Sequence, residues 1–136
     1  MSEFDVLLHG DVWDAKRGRQ HDKWVAIEDN LIEGVYDEKP GTAEKTKEVD
    51  LLTPGLIDLH VHLVWDGTGD PVETLRRQSE QEQTIHAVEM AREQVEGGVT
   101  TVRDIGSTHD IAISVADASR QGSITGPRIY ASGQTI

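Results

Sequence analysis

The sequence has no cysteine, a shortage of basic residues and no long hydrophobic run. Without cysteine there is no disulfide framework, and no thiolate can act as a nucleophile or a metal ligand. The 13 Lys and Arg residues face 25 Asp and Glu residues, which gives a net charge of −12. Because phosphate groups are bound through Lys and Arg, this balance argues against a nucleic-acid partner and against docking on an anionic membrane.

The acidic residues are spread along the chain, so we expect them to cover a solvated surface. Adaptation to high salt is one explanation, and ordinary acidic drift in a cytosolic protein is the other. Residues 1–5 have neither a basic start nor an apolar core, so no signal peptide is expected. No apolar run approaches the ~20 residues that span a bilayer. The sequence therefore predicts a soluble, cytoplasmic protein.

The pattern of the sequence changes at Pro54 and Gly55. Before this point, short strand-like segments at 6–13, 23–27 and 31–35 are separated by polar turns. The polar segment that surrounds Pro40 and Gly41, from Lys39 to Lys47, is predicted to be a loop. The first part of the chain is thus predicted to be a small antiparallel β unit, too short to be stable alone.

After the break, strands alternate with helices. Strands are predicted at 56–64, at 99–105 and from Arg128 onward. One helix is predicted from the Asp70 cap to about Glu96, and a second from Ser107 to about Gly122. Strands that alternate with helices of this length indicate βαβ units and a parallel sheet, so the fold class is α/β.

The first of these strands has one unusual face. Its other face is apolar and suited to packing under a helix: Ile57, Leu59, Val61 and Leu63. The unusual face carries three ionisable side chains in phase, those of Asp58, His60 and His62. A strand that is buried on both faces is normally apolar on both. These side chains therefore require a compensating partner, because burying polar groups alone costs several kcal/mol.

A divalent metal ion is a suitable partner. Histidines at i and i+2 lie on the same side of a strand, and neutral imidazole is a normal ligand of Zn²⁺. Asp58 is placed to orient one of the ligands. An isolated His-x-His more often marks hydrogen-bonded core histidines. Here His62 lies near the carboxyl end of a strand that precedes a helix, where βα-barrel enzymes hold their ligands, and this favours a metal site.

Three segments carry a resemblance to a known family. The sequence TPGLIDLHVH at 53–62 resembles the signature of the amidohydrolase superfamily, and residues 97–106 and 126–133 resemble its second and third barrel strands. The last two are most similar to the branch that contains imidazolonepropionase and prolidase-type dipeptidases. The resemblance implies that residues 1–53 form part of a small antiparallel β-sandwich. It implies that residues 54–136 form the first three strands and two helices of an incomplete (β/α)₈ barrel.

The resemblance also implies the chemistry. His60 and His62 would bind the more buried of one or two divalent ions, with Zn²⁺ the expected metal. In binuclear members later strands supply a bridging carboxylated lysine, two more histidines and an aspartate that activates water. All five lysines here precede the barrel segment, so no bridging lysine is expected in this chain. The implied reaction is hydrolysis of an amide or cyclic-amide C–N bond in a small molecule; homo-oligomerisation of the full-length protein stays open.

Two other function classes stay open. A metal-dependent deaminase or sugar deacetylase of the same superfamily would share His60 and His62, and so would a non-catalytic truncated remnant. A complete (β/α)₈ barrel needs ~250 residues, and this chain holds about three of its strands. An unclosed barrel exposes parallel edges, so we expect the isolated chain to be inactive and unstable.

The other histidines and Asp104 are expected to be structural. His86 is predicted to lie within a helix, half-buried or at the surface. His109 follows the second strand and is expected to be solvated, although the active-site mouth is within its reach. Asp104 is predicted to pair with a neighbouring Arg or to cap the Ser107 turn, and a functional role for it stays open. Structural or exposed positions are predicted for His9 and His21, packing roles for Trp13, Trp24 and Trp65, and a place at the pocket rim for the loop at 65–70.

Overall fold

The computed structural model describes residues 3–134, which divide after Pro54 into two compact units. The prediction that there is no signal peptide is made from residues 1–5. Of these, Met1 and Ser2 lie outside the described residues. The same holds for Thr135 and Ile136, the last two residues of the predicted barrel segment. Among the helices of residues 3–134, none is long and apolar enough to cross a membrane.

The first unit contains a four-stranded sheet with the order β3-β2-β1-β4. Its strands are β1 (Phe4–Asp14), β2 (Gly18–Glu28), β3 (Leu31–Tyr36) and β4 (Ala43–Leu52). β1 pairs antiparallel with β2, and β2 with β3, as the hairpin pattern predicts. The core of the unit consists of Phe4, Leu7 and Ala26, with Trp24, Tyr36 and Ala43 packed against it.

Two predictions for this unit are wrong. The segment from Lys39 to Lys47 is not wholly a loop, because β4 begins at Ala43. The unit is not purely antiparallel either, because β4 runs parallel to β1, with Lys45 opposite Val6 and Lys47 opposite Leu8. Most side chains of β4 are exposed, so its polar composition resembles that of a loop. The backbone hydrogen bonds to β1 make it a strand, and such long-range pairing leaves no mark in local composition.

The second unit combines a three-stranded parallel sheet with three helices. The sheet has the order β5-β6-β7, with β5 at Leu56–Val61, β6 at Val99–Asp104 and β7 at Arg128–Ala131. The predicted α/β class is confirmed. The helices are α1 (Pro71–Arg77), α2 (Glu80–Glu96) and α3 (Ile111–Arg120). The buried core consists of Leu63, Val64, Ala87, Ala91, Ile111 and Val115.

The helix predicted from Asp70 to Glu96 is two helices, so the unit has three helices where two are predicted. Ser79 interrupts the segment because it forms a capping box for α2. Its hydroxyl accepts a hydrogen bond from the Glu82 amide at 3.3 Å, and its own amide donates to the Glu82 carboxylate at 2.7 Å. The S-x-x-E spacing is a recognised helix-start signal, but the continuous polar run around it hides it.

Strand β5 is shorter than predicted, and its apolar face is only half covered. The chain turns after Val61, and the His62 carbonyl accepts a hydrogen bond from the Trp65 amide at 3.0 Å. Leu63 is buried as predicted, but Ile57 and Leu59 are 64% and 62% exposed. Their predicted packing under a helix is wrong. β5 is the edge strand of this sheet, and the α2 helix packs against α3 and β6 instead.

Candidate metal centre

His60 and His62 lie at the carboxyl end of the edge strand. His60 is the penultimate residue of β5 and is exposed, and His62 follows the strand and is half-buried. Their ring centroids are 5.8 Å apart, and the ring planes are inclined by 72°. The predicted approach of the two imidazoles is therefore present in the structure. Their role as metal ligands stays a prediction.

Two contacts fix the ring of His62. The Nδ1 atom lies 2.7 Å from the carbonyl oxygen of Gly106, and a carbonyl can only accept, so Nδ1 carries the hydrogen. The indole of Trp65 stacks on the ring, with 3.8 Å between centroids and 20° between planes. A neutral ring with Nδ1 protonated has an unprotonated Nε2. This is the arrangement in which a histidine binds a metal ion through Nε2.

Asp104, the last residue of β6, is fully buried beside this histidine. One carboxylate oxygen accepts a hydrogen bond from the Leu63 amide at 2.8 Å, and the other accepts from the Gly106 amide at 3.0 Å. The predicted ion pair with a neighbouring Arg is wrong, because the Arg103 side chain instead donates to the Leu59 carbonyl at 2.6 Å. The other prediction, that Asp104 caps the Ser107 turn, is close to the observed contact, in which Asp104 accepts from the amide of Gly106, the residue before Ser107.

Asp58 contacts the backbone and not a ligand ring. Its Oδ1 atom accepts a hydrogen bond from the backbone amide of His60 at 3.0 Å. The side chain therefore steadies the strand at His60. The expected orienting contact to an imidazole is absent among the hydrogen bonds of residues 3–134.

The centre is incomplete in this part of the chain. Within residues 3–134, no group of three or more His, Cys, Asp or Glu side chains is arranged to hold a metal ion. His109 is exposed after β6, in the left-handed conformation with φ of 51°. His86 is half-buried within α2, as predicted, and its Nε2 atom is buried with no hydrogen-bond partner in the described residues. Zn²⁺ usually takes four ligands, and His60 and His62 are two side chains of a type that it binds.

The loop after His62 is ordered by its own side chains. Asp66 accepts hydrogen bonds from the hydroxyl and the amide of Thr68, at 2.7 Å and 3.0 Å, and both lower the pKa of Asp66. Trp65 is predicted to be a packing residue. The ring on which it packs is that of His62, and its indole covers one face of this imidazole. Trp24 packs on the core of the first unit as predicted, and Trp13 is 44% exposed.

Sequence reasoning missed two parts of this site, the Gly106 carbonyl and the Trp65 stack. Gly106 is 44 residues from His62 in the chain, and the pattern of a strand gives no sign of which carbonyl its next residue will meet. Trp65 had a local signal. It follows His62 by three residues in a turn, which brings the two side chains close together.

One family model matches the chain, that of the amidohydrolase family, over residues 51–136. The match covers more than half of the chain and includes the segment with both histidines. The chain belongs to the amidohydrolase family. The predicted resemblance is confirmed.

Solved structures of amidohydrolase-type proteins share the fold. A Xaa-Pro dipeptidase with methionine in its active site is 29% identical, with a TM-score of 0.82 over 96% of this chain and 34% of that chain. A prolidase complexed with N-methylphosphonate-L-proline is 28% identical, with a TM-score of 0.78 over 94% and 31% of the two chains. Molinate hydrolase is 26% identical, with a TM-score of 0.76 over 100% and 31%. No curated protein matches the chain.

This amidohydrolase-family chain spans about a third of the length of those solved structures. The activity, the substrates and the partners of the whole protein are therefore matters of proposal.

Proposed function

We propose that this chain provides the first two metal ligands, His60 and His62, of an amidohydrolase that cleaves a C–N bond in a small molecule. The observation that carries the proposal is the pair of imidazoles at the carboxyl end of β5, with ring centroids 5.8 Å apart. His62 is held with Nδ1 bonded to the Gly106 carbonyl, which leaves Nε2 for a metal ion. The chain is a family member over this segment.

Zn²⁺ is the metal we expect, because imidazole nitrogen is one of its usual ligands. When bound, a divalent ion supplies a water molecule of lowered pKa and a Lewis acid for the carbonyl oxygen of the substrate. The residues of this chain would bind the ion and orient the side chains that hold it. His60 and His62 offer ring nitrogens, Gly106 fixes the direction of one ring, and Trp65 shields one face of that ring from water.

The remaining ligands and the acid/base carboxylate belong to later strands in this proposal. The architecture proposed for the whole protein is a β-sandwich that includes the first unit, and a (β/α)₈ barrel that begins with the second. A cytoplasmic location and a small-molecule substrate are parts of the same proposal. The net charge of −12 disfavours nucleic acid and anionic membranes as partners.

Amides that resemble dipeptides are the first substrates to test. Two of the similar solved structures are a Xaa-Pro dipeptidase and a prolidase bound to a proline-containing molecule. A panel of Xaa-Pro dipeptides, N-acyl amino acids, cyclic amides and amino-substituted heterocycles would be assayed with the full-length protein. Release of an amine together with a new carboxylate supports the proposal. Release of ammonia from a ring amine would identify the deaminase alternative.

The direct test is the metal content of the full-length protein. We expect His60→Ala and His62→Ala each to remove most of the zinc measured by atomic absorption after gel filtration. The matched control is His109→Asn, which removes an exposed imidazole from the segment after β6 and keeps a residue type that tolerates positive φ. Its zinc content should equal that of the native protein. Native zinc stoichiometry in either alanine variant would contradict the proposal.

A further inference from the structure

The buried carboxylate of Asp104 connects the two turns that follow β5 and β6. Its two oxygens accept hydrogen bonds from different backbone amides, those of Leu63 and Gly106, at 2.8 Å and 3.0 Å. Asp104 is 0% exposed, and no ion pair of the described residues involves it. A carboxyl group buried without a cation is costly unless its oxygens are hydrogen-bonded. The burial of Asp104 therefore depends on its hydrogen bonds from these two amides.

Both amides belong to the residues that hold His62. Leu63 follows His62 directly, so its amide fixes the backbone on the carboxyl side of the histidine. Gly106 uses its amide to reach Asp104 and its carbonyl to accept the hydrogen bond from Nδ1 of His62. One buried side chain thus fixes the backbone of the histidine and the residue that receives its ring hydrogen.

We infer that Asp104 is a positioning residue for His62, which keeps the hydrogen on Nδ1 and thereby leaves Nε2 unprotonated for a metal ion. The inference rests on the proposed function for the identity of the metal site. It assigns Asp104 no contact with the metal or the substrate. Outer groups that orient a histidine ligand in this way typically change metal affinity by 10- to 100-fold when they are removed.

The side chain must accept at both of its ends, and this requirement distinguishes Asp from Asn. An asparagine side chain at this position would have nearly the same shape, but it has one acceptor oxygen and an NH₂ group that can only donate. Either the Leu63 amide or the Gly106 amide would then face a donor. In the D104N variant we expect the Gly106 carbonyl to lose its fixed direction and the His62 ring to populate both tautomers.

The first measurement is the tautomer of His62 in the metal-free full-length protein labelled with ¹⁵N-histidine. Long-range ¹H–¹⁵N correlation spectra show which ring nitrogen carries the hydrogen, and His62→Gln assigns the signal. The native protein should show His62 protonated on Nδ1, and D104N should show a mixture. Native His62 protonated on Nε2 would overturn the inference, and this result does not depend on whether any Asp104 variant folds.

The second measurement is zinc affinity, determined by competition with a chelator. We expect D104N to bind zinc 10- to 100-fold more weakly than the native protein. The matched control is Ser107→Ala, because Ser107 is buried in the same loop and accepts a hydrogen bond from the Ala112 amide at 3.1 Å, with no link to the His62 ring. S107A should keep both the tautomer and zinc affinity within threefold of native.

The outcomes separate this inference from the proposed function. If D104N folds and keeps both the Nδ1 tautomer and native zinc affinity, while His62→Ala loses zinc, the positioning role is wrong and the metal site stands. If His62→Ala keeps native zinc, the metal site is wrong, whatever D104N does to the tautomer. A loss of zinc affinity in S107A equal to that in D104N would show a merely structural effect of the loop and overturn the inference.

Discussion

Two histidines of this chain each stack on a tryptophan, one in each unit, but their ring nitrogens have different partners. His9 lies 4.2 Å from Trp24 with 17° between planes, and His62 lies 3.8 Å from Trp65 with 20° between planes. Both nitrogens of His9 are bonded to carboxylates, Nδ1 to Glu48 at 2.7 Å and Nε2 to Asp22 at 2.9 Å. His62 bonds one nitrogen to a carbonyl.

The difference shows that the partners of the nitrogens, and not the stack, decide what each histidine does. A ring between two carboxylates donates through both nitrogens, is stabilised as a cation and has no lone pair for a metal ion. A ring with one nitrogen bonded to a neutral carbonyl keeps its other nitrogen as a ligand. His9 is therefore a structural link between β1, β2 and β4, and His62 is the candidate ligand.

The largest expected effect comes from removing each imidazole in the full-length protein. His62→Ala should lower kcat/KM for the best amide substrate by roughly 10³-fold or more, since a metal ion supplies several kcal/mol of transition-state stabilisation and each 1.4 kcal/mol is tenfold. His9→Ala should leave kcat/KM within about threefold of native at a temperature where both variants are folded. Equal losses in the two variants would remove the distinction drawn between them.

The sequence predicts those features of the fold and the site that depend on residues close together in the chain. The i, i+2 spacing of His60 and His62 places both rings at one strand end, and the alternation of strands and helices predicts the parallel sheet. The Ser79 capping box also has a local signal in its S-x-x-E spacing, but one continuous helix is predicted across it. These features depend on residues close together in the chain, where period and spacing carry the information.

Apart from the Trp65 stack and the Ser79 capping box, the parts that sequence reasoning missed depend on distant residues. The Asp104 carboxylate meets Leu63 across 41 positions, and the Gly106 carbonyl meets His62 across 44. The strand β4 is defined by its pairing with β1, since its polar side chains resemble those of a loop. Such contacts are set by the packing of strands against one another, and a single sequence shows the residue types without showing which of them meet.

A smaller effect is expected from the two tryptophans. Trp65→Ala frees the His62 ring, so zinc affinity should fall by up to about tenfold, while the free energy of unfolding should fall by no more than the stack itself, about 0.5–1.5 kcal/mol. Trp24→Ala should instead lower mainly the free energy of unfolding. Its side chain packs on the core of Phe4, Leu7 and Ala26, and because it is only half-buried we expect a loss of stability of about 2 kcal/mol and native zinc affinity.

Zinc titration and urea denaturation of the same two variants test this reversal. Trp65→Phe is the matched control, because it keeps an aromatic face over His62 and should restore most of the zinc affinity. Loss of zinc affinity in Trp24→Ala at a temperature where it is folded, or native affinity in Trp65→Ala, would contradict the roles assigned to the two stacks.

The smallest expected effect is a pH dependence that belongs to His9. The hydrogen bond to Glu48 raises the pKa of His9 above its ordinary value, and the contact with Asp22 adds to this against an opposing effect of burial. Because the folded pKa is higher than the unfolded one, the charged ring stabilises the fold fully below about pH 6.5. This contribution is lost as the pH rises through the folded pKa.

Thermal melts of the native full-length protein and His9→Gln measure this loss directly. The native Tm should exceed that of His9→Gln most at about pH 6, and the difference should shrink as the pH is raised above about 6.5, since Gln does not titrate. Glu48→Gln, which removes the largest cause of the raised pKa, should flatten the native profile more than Asp22→Asn. The link is solvent-exposed at both carboxylates, so added salt should weaken it. A Tm difference that stays constant with pH would mean that His9 stabilises the sheet through its stack on Trp24 and not through its charge.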